Sequence, residues 1–201
     1  INDDVAVEDS SYTTGRRGVA ATVIVEKIVG SLAETGGSLK ECKILGDKVN
    51  RNSGSMGVAF SSCTVPAAGK PTFKLEPDEM EFGVGIHGEP GRRRDKVQSA
   101  QEITNELLGA IIEDLKLENN GEILLFVNGM GGTPLTELYL LYDNAKKTLD
   151  DKNIKIARSL VGNYCTSLEM QGASLTITKL DQELKKHWDS PVHTAAMRWG
   201  L

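Results

Sequence analysis

The chemistry of this sequence centres on one histidine enclosed by glycines. Residues 80–86 form an apolar run that predicts a buried strand, and this strand leads to His87, with Gly85 before the histidine and Gly88 after it. Glycine follows backbone paths that are closed to other residues and lets a ligand approach the main chain closely. An imidazole in such a loop is placed for chemistry on a ligand rather than for packing. The alternative is a strand-terminating turn that happens to contain a histidine.

The same glycines satisfy the G-x-G-x-x-G pattern, but the context of that pattern does not predict a nicotinamide site. A dinucleotide fingerprint needs its last glycine to open a helix whose N-terminus meets the pyrophosphate. Here the segment Glu-Pro-Gly and three arginines follow Gly88, and helix is predicted only later. No G-x-x-x-x-G-K-[ST] sequence occurs, so the chain shows no site of its own for ATP phosphates. Residues 128–133 can present N–H groups to an anion at a helix start, although a tight strand-to-helix turn explains them equally well.

Composition and charge exclude several classes of protein. The 201 residues are 39% hydrophobic and 25% charged, which is ordinary for a globular protein large enough to bury a core. A net charge of −5 argues against a general nucleic-acid binder, because neutralising phosphates needs a basic surface. No apolar run approaches the ~20 residues that span a bilayer. The sequence therefore predicts neither a membrane protein nor a nucleic-acid-binding protein.

Cysteine and histidine usage predicts a reduced protein without a metal. The three cysteines are odd in number and far apart, which fits free thiols in the cytoplasm rather than a disulfide framework. The three histidines have no metal-ligand spacing with one another. His187 is predicted at the surface in the last turn of a short helix, and His193 has no evident partner.

The elements that must position His87 alternate between helix and strand. Two helices, the first from about residue 19 and the second capped by Ser38, form a hairpin that ends near residue 53. Arg92 to Lys96 is predicted to be a charged loop. After the hairpin come strands at 56–60, 80–86, 122–128, 155–161 and 174–179, with helices at 99–115, from 134 and at 181–188. Strands alternating with helices indicate an α/β fold.

Six motifs in one order resemble the DhaK-type, dihydroxyacetone-binding subunits of phosphotransferase-coupled dihydroxyacetone kinases. The resemblance runs nearly from end to end. The motifs are GRRGVA at 15–20, CTVPAAGKP at 63–71, the segment 80–91, TPLTELY at 133–139, YCTSL at 164–168 and WDSPVHT at 188–194.

The resemblance implies a covalent role for His87. In the family, the histidine of this loop attacks the keto carbon of dihydroxyacetone and forms a hemiaminal, which fixes a small substrate and selects ketones over glycerol. Gly85 and Gly88 are the substrate-binding residues implied beside it. The family's general base, in a Gly-Gly-Gly-Ser-Gly-His-Glu segment, and an aspartate both precede the position that matches Ile1. This chain alone is therefore expected to be inactive in phosphoryl transfer.

The resemblance also implies partners and a cellular role. A separate ADP-carrying, DhaL-type subunit, with Mg²⁺, supplies the phosphoryl group and is recharged from phosphoenolpyruvate through a carrier protein. No cofactor is then expected on this chain, which would act as a cytoplasmic homodimer in glycerol and dihydroxyacetone catabolism. The alternative is a non-catalytic paralogue that senses dihydroxyacetone through the same histidine and acts as a transcriptional co-activator partner.

The family fold, of the dihydroxyacetone kinase/DegV-like type, has two α/β domains. Residues 1–53 are expected to be the C-terminal remnant of the first domain, with its helical hairpin. Residues 54–201 are expected to form the second, a two-layer α/β unit with a mixed sheet that carries His87. The opening residues 1–7 resemble the tail of a strand already under way, so the chain is expected to be part of a longer protein.

Overall fold

The computed structural model of the protein describes residues 1–8, 15–87, 89 and 91–200. Within those residues helices and strands are interspersed along the chain, which confirms the α/β class. The elements are, in chain order, α1 Ala21–Glu34, α2 Leu39–Arg51, β1 Ser53–Ala59, β2 Glu79–Phe82, β3 Arg93–Lys96, α3 Ala100–Leu115, β4 Glu122–Gly129, α4 Leu135–Asp151, β5 Lys155–Gly162, β6 Gly172–Lys179, α5 Gln182–Asp189, β7 Val192–His193 and β8 Arg198–Trp199.

A six-stranded mixed sheet organises the molecule. Its strand order is β3-β2-β1-β6-β4-β5, and β7 and β8 pair separately. β4 and β5 are parallel and joined through α4, whereas the other neighbouring strands are antiparallel. The mixed sheet implied by the family resemblance is therefore confirmed.

Helices cover both faces of this sheet. On one face α3 and α4 pack against the strands around buried side chains such as Leu107 and Leu125. On the other face α1, α2 and α5 enclose a second core around Ile24, Phe126 and Trp188. The helical hairpin thus shares a core with the sheet and, with α5, adds a third layer to the expected two. The assignment of residues 1–53 to a separate first domain of a longer protein stays a prediction.

Local sequence signals set where the helices begin. The side chains of Ser38 and Ser99 each accept a hydrogen bond from the backbone N–H three residues later. In return, the carboxylates of Glu41 and Glu102 accept a hydrogen bond from the backbone N–H of the capping serine. These two capping boxes satisfy N–H groups that have no partner inside the helix. The predicted starts of α2 and α3 are confirmed.

Two sequence predictions around the histidine loop were wrong. The strand predicted over 80–86 spans Glu79–Phe82, because Gly83 turns the chain out of the sheet with φ at +71°. The charged loop predicted from Arg92 to Lys96 contains β3, which pairs antiparallel with β2 at the sheet edge. Its run of charges hid the strand, although charged side chains are typical of an edge strand that must avoid pairing with other chains.

Candidate functional site

The histidine loop leaves the sheet at Gly83. The Gly83 N–H still donates to the carbonyl of Gly57 on β1 at 2.7 Å. Two observations exclude any other residue at this position. Its φ is positive, and an added Cβ would stand 2.5 Å from the Cβ of Ala6. Glycine is therefore required where the loop begins, against the N-terminal segment.

After Gly83 the chain is anchored by one apolar side chain. Val84 is 2% exposed and joins a small buried cluster with Met130 and Met170 near the end of β4. Next to it, Gly85 donates its N–H to the carbonyl of Glu89 at 3.2 Å, which closes the loop on itself. An added Cβ at Gly85 would overlap the carboxylate of Glu89. The glycine makes room for that carboxylate inside the loop.

His87 stands at the outer part of this loop. Its side chain is 76% exposed, while its backbone N–H donates to Glu89 Oε2 at 2.8 Å. The ring Nδ1 lies 3.2 Å from Glu89 Oε1. One carboxylate therefore holds both the main chain and the ring of the histidine.

Glu89 determines which ring nitrogen carries the hydrogen. Burial raises the pKa of this carboxyl, but hydrogen bonds from its own N–H and from His87 outweigh burial and leave the pKa below its usual value. An ionised carboxylate only accepts hydrogen bonds, so the facing Nδ1 must donate. In the neutral ring the lone pair then resides on Nε2, which is the nitrogen available as a nucleophile.

A buried ion pair lies behind the loop. The Arg17 Nε donates to Asp4 Oδ2 at 2.9 Å, and Arg17 Nη2 donates to the Gly83 carbonyl at 2.6 Å. Burial raises the pKa of Asp4 from 3.8 to about 6, against the opposing effect of Arg17. Sequence reasoning gave this pair no role. The signal available was the arginine pair inside GRRGVA together with the adjacent Asp3 and Asp4.

The neighbouring Asp3 ties the start of α1 to β1. It is fully buried and accepts hydrogen bonds from the N–H groups of Val19 and Ala21 and from the Ser55 hydroxyl. A carboxylate at a helix N-terminus satisfies unpaired N–H groups and complements the helix dipole. The N-terminal residues are thus built into the fold beside the histidine loop.

The structure also places the other histidines that the sequence singled out. Gly88 lies outside the described residues, and the roles of Gly85, His87 and Gly88 in substrate binding stay predictions. His187, predicted at the surface, is instead buried, with its Nδ1 3.1 Å from the Ser31 hydroxyl of α1. His193 lies on β7 and lines a groove of about 660 Å³ beside α1. His187 and His193 therefore both adjoin α1, whereas His87 stands in the loop after β2.

The N–H groups of the loop between β4 and α4 donate to other parts of the protein. The Gly131 N–H donates to Asn163 Oδ1 at 3.2 Å, and the Gly132 N–H donates to the Met170 carbonyl at 2.9 Å. These contacts favour the structural turn over the anion site. Across the described ranges, no cluster of three or more histidine, cysteine, aspartate or glutamate side chains could hold a metal. None of the helices described there is long and apolar enough to cross a membrane.

Comparison with known proteins bears on the whole chain. The protein is 44% identical over 224 aligned residues to the PEP-dependent dihydroxyacetone kinase, dihydroxyacetone-binding subunit DhaK, of Escherichia coli (strain K12), covering 100% of this chain and 63% of the relative. The chain thus spans less than two thirds of that relative's length.

Solved structures give the same picture of the fold. The dihydroxyacetone kinase operon co-activator Dha-DhaQ superposes with a TM-score of 0.86 at 33% identity, over 94% of this chain and 59% of that one. A fatty-acid-binding DegV family protein from Thermus thermophilus, 9% identical, covers 80% of this chain and 57% of its own with a TM-score of 0.56, and so shares the fold alone. The Dak1 domain model matches residues 1–196. The resemblance stated from the motifs is confirmed, and the chain belongs to the Dak1 domain family.

Proposed function

We propose that this chain holds dihydroxyacetone as a covalent hemiaminal on His87 for a dihydroxyacetone kinase. Support comes from the family and from the name of the Escherichia coli relative, a dihydroxyacetone-binding subunit. The observation that carries the proposal is the geometry of His87. Its exposed ring is fixed by Glu89 in the tautomer that leaves Nε2 free to attack.

The proposed step is a reversible addition. The Nε2 lone pair forms a bond to the keto carbon, and the carbonyl π pair moves onto the oxygen. The oxygen takes up a proton from solvent, and the Nδ1 proton stays in the hydrogen bond to the Glu89 carboxylate. The step therefore takes up one proton overall and leaves the alkylated ring paired with Glu89. Glycerol has no carbonyl group and cannot react, which gives selection for short ketones and aldehydes. The bond also fixes a substrate that hydrogen bonds alone would orient poorly.

The rest of the reaction is assigned to partners. We propose that a separate DhaL-type subunit carries ADP and Mg²⁺ and delivers the phosphoryl group, which originates from phosphoenolpyruvate and passes through a carrier protein. The Escherichia coli relative is named PEP-dependent, and no Walker-type phosphate loop occurs in this sequence. We also propose that the chain forms a homodimer and acts in the cytoplasm.

These 201 residues are proposed to bind the ketone without transferring phosphate. They contain no Gly-Gly-Gly-Ser-Gly-His-Glu segment, in which the family's general base lies. Positioned bases of this kind contribute about 10²- to 10⁴-fold to a reaction rate. The chain mixed with the phosphodonor subunit and its phosphorylated carrier should therefore show no kinase turnover.

A second candidate function is dihydroxyacetone sensing by a transcriptional co-activator. The co-activator Dha-DhaQ superposes on this chain with a TM-score of 0.86. Both candidates use His87 to hold the ketone. They separate in a phosphoryl-transfer assay of the natural gene product mixed with the phosphodonor subunit: a kinase subunit phosphorylates dihydroxyacetone, and a sensor does not.

Isotope labelling tests the adduct directly. Dihydroxyacetone labelled with ¹³C at the keto carbon is added to chain carrying ¹⁵N-histidine. A tetrahedral carbon with one-bond coupling to a histidine nitrogen is expected, which separates the adduct from the free ketone hydrate. His193→Ala, at an exposed histidine on β7, should retain this signal, and His87→Ala should lose it. Ketone bound without the coupled signal, or a coupled signal in His87→Ala, would refute the proposal.

A further inference from the structure

The buried pair of Arg17 and Asp4 connects the N-terminal segment to Gly83, where the histidine loop begins. Their side chains are only 8% and 2% exposed, and Arg17 Nη2 lies 2.8 Å from Asp4 Oδ2. The Ala6 N–H donates to Asp4 Oδ1 at 2.9 Å, so the carboxylate is held from two directions. A charge pair this deeply buried is weak evidence for stability alone, because apolar residues of similar volume often do as well.

Arg17 reaches the loop at two points. It donates to the Gly83 carbonyl, the last group before the chain turns away from β2. Its Nη1 lies 3.1 Å from the place where a Cβ at Gly85 would stand. The Glu89 carboxylate occupies the same place beside Gly85. The Arg17 guanidinium therefore lies next to Gly83 and Gly85, close to the Glu89 carboxylate that holds His87.

We propose that the Arg17–Asp4 pair is a positioning device for His87: by fixing Gly83, where the loop leaves β2, it sets how Glu89 holds the ring and how Nε2 is presented to the ketone. The proposal rests on the proposed adduct at His87 and adds residues that do not touch the substrate. It predicts that altering Arg17 weakens adduct formation while the fold persists.

The chemistry of arginine suits this task. A guanidinium is planar and donates several hydrogen bonds in fixed directions, so that one side chain can bind a carboxylate and a carbonyl together. A lysine ammonium keeps the charge opposite Asp4 but cannot reproduce those directions. Val84 packs in a buried apolar cluster, and apolar packing has no preferred direction. The directed hydrogen bonds of Arg17 add an orientation that this packing does not supply.

The adjacent arginine provides a matched control. Arg16 also makes an ion pair, donating to both oxygens of Asp114 at 2.8 and 2.5 Å, but its partner lies on α3. Arg16→Met removes the same charge and the same kind of bond at a distance from the histidine loop. At equal folded fraction, a loss of ketone affinity in Arg17→Met beyond that in Arg16→Met is therefore assigned to the histidine loop.

The test compares Arg17→Lys, Arg17→Met, Arg16→Met and the unaltered chain. Ketone affinity is taken from the ¹³C–¹⁵N coupled signal, the ring environment from the Nδ1–H signal of His87, and the folded fraction from thermal unfolding. Both Arg17 variants are expected to weaken ketone affinity about tenfold and to shift the Nδ1–H signal. Arg16→Met should stay within about twofold of the unaltered chain.

The outcomes separate this inference from the function on which it rests. If the unaltered chain forms no adduct, the proposed function fails. If the chain forms the adduct and a folded Arg17→Lys binds the ketone as tightly as Arg16→Met, the positioning role is overturned. If neither Arg17 variant folds, the pair acts on stability alone, and the positioning role is overturned as well.

Discussion

Replacing Glu89 by glutamine tests how the site prepares His87. The substitution keeps the size of the side chain but removes its charge, and the new amide can donate as well as accept. Glutamine can therefore bond to either ring tautomer, so the form with its lone pair on Nε2 is no longer enforced. The backbone N–H of His87 also loses a charged acceptor that lies 2.8 Å away.

The size of the effect follows from the exposure of the ring. Hydrogen bonds to charged groups contribute about 1.5–3 kcal/mol when they are shielded from water. The His87 side chain is 76% exposed, so water competes and a value below that range, about 1 kcal/mol, applies. Glu89→Gln should therefore weaken adduct affinity roughly fivefold.

The assay is titration of the ¹³C-labelled ketone, read from its bound tetrahedral carbon. Glu169→Gln is a suitable control, because Glu169 is also a loop carboxylate that accepts a backbone N–H, in this case from Thr64 at 2.7 Å. The control should bind ketone as the unaltered chain does. Equal affinity in Glu89→Gln, with Nδ1 still carrying its hydrogen, would show that the carboxylate does not prepare the ring.

Three further predictions concern the loop, the ion pair and nucleotides. Gly85→Ala should displace Glu89 and abolish the coupled adduct signal while leaving most of the thermal stability, whereas Gly109→Ala, at a helix position with open space around it, should leave the adduct unchanged. The pKa of Asp4 is raised from 3.8 to about 6, so between these pH values the folded chain holds a proton that the unfolded chain has released. The contribution of Asp4 to stability is therefore fully present below pH ~4 and declines as pH rises through 6. Asp4→Asn should remove this fall in the free energy of unfolding, measured by denaturant unfolding at several pH values, and an unchanged fall would assign it to other groups. Calorimetric titration with Mg-ATP should show no binding, and micromolar affinity would reveal a nucleotide site that the sequence does not indicate.

Much of the scaffold is predictable from sequence because its signals are local. The capping residue Ser99 and the apolar face that includes Leu107 and Ile111 together specify α3. β4 and β6 are almost wholly buried, so both appear in the sequence as runs with few charges. These patterns lie within single elements and need no knowledge of the neighbouring chain.

The features that sequence reasoning missed depend on contacts between distant residues. β3 is a strand because β2 offers it backbone partners, although its composition is that of a loop. Arg17 and Asp4 are 13 residues apart and become buried only when the N-terminal segment meets the histidine loop. His187 is buried because Ser31 of α1 lies against it, 156 residues away in sequence.

The candidate site itself was only half visible in the sequence. The glycines around His87 indicated a loop suited to chemistry, and the motifs gave the family. The role of Glu89 depends on a turn that brings its carboxylate back to both the N–H and the ring of His87, and no pattern of residue types encodes that geometry.

A crystal structure of the chain soaked with dihydroxyacetone would show whether His87 bonds covalently to the ketone. We expect continuous density from Nε2 of His87 to a tetrahedral keto carbon, with Nδ1 still beside Glu89. A planar ketone held only by hydrogen bonds, away from the imidazole, would contradict it.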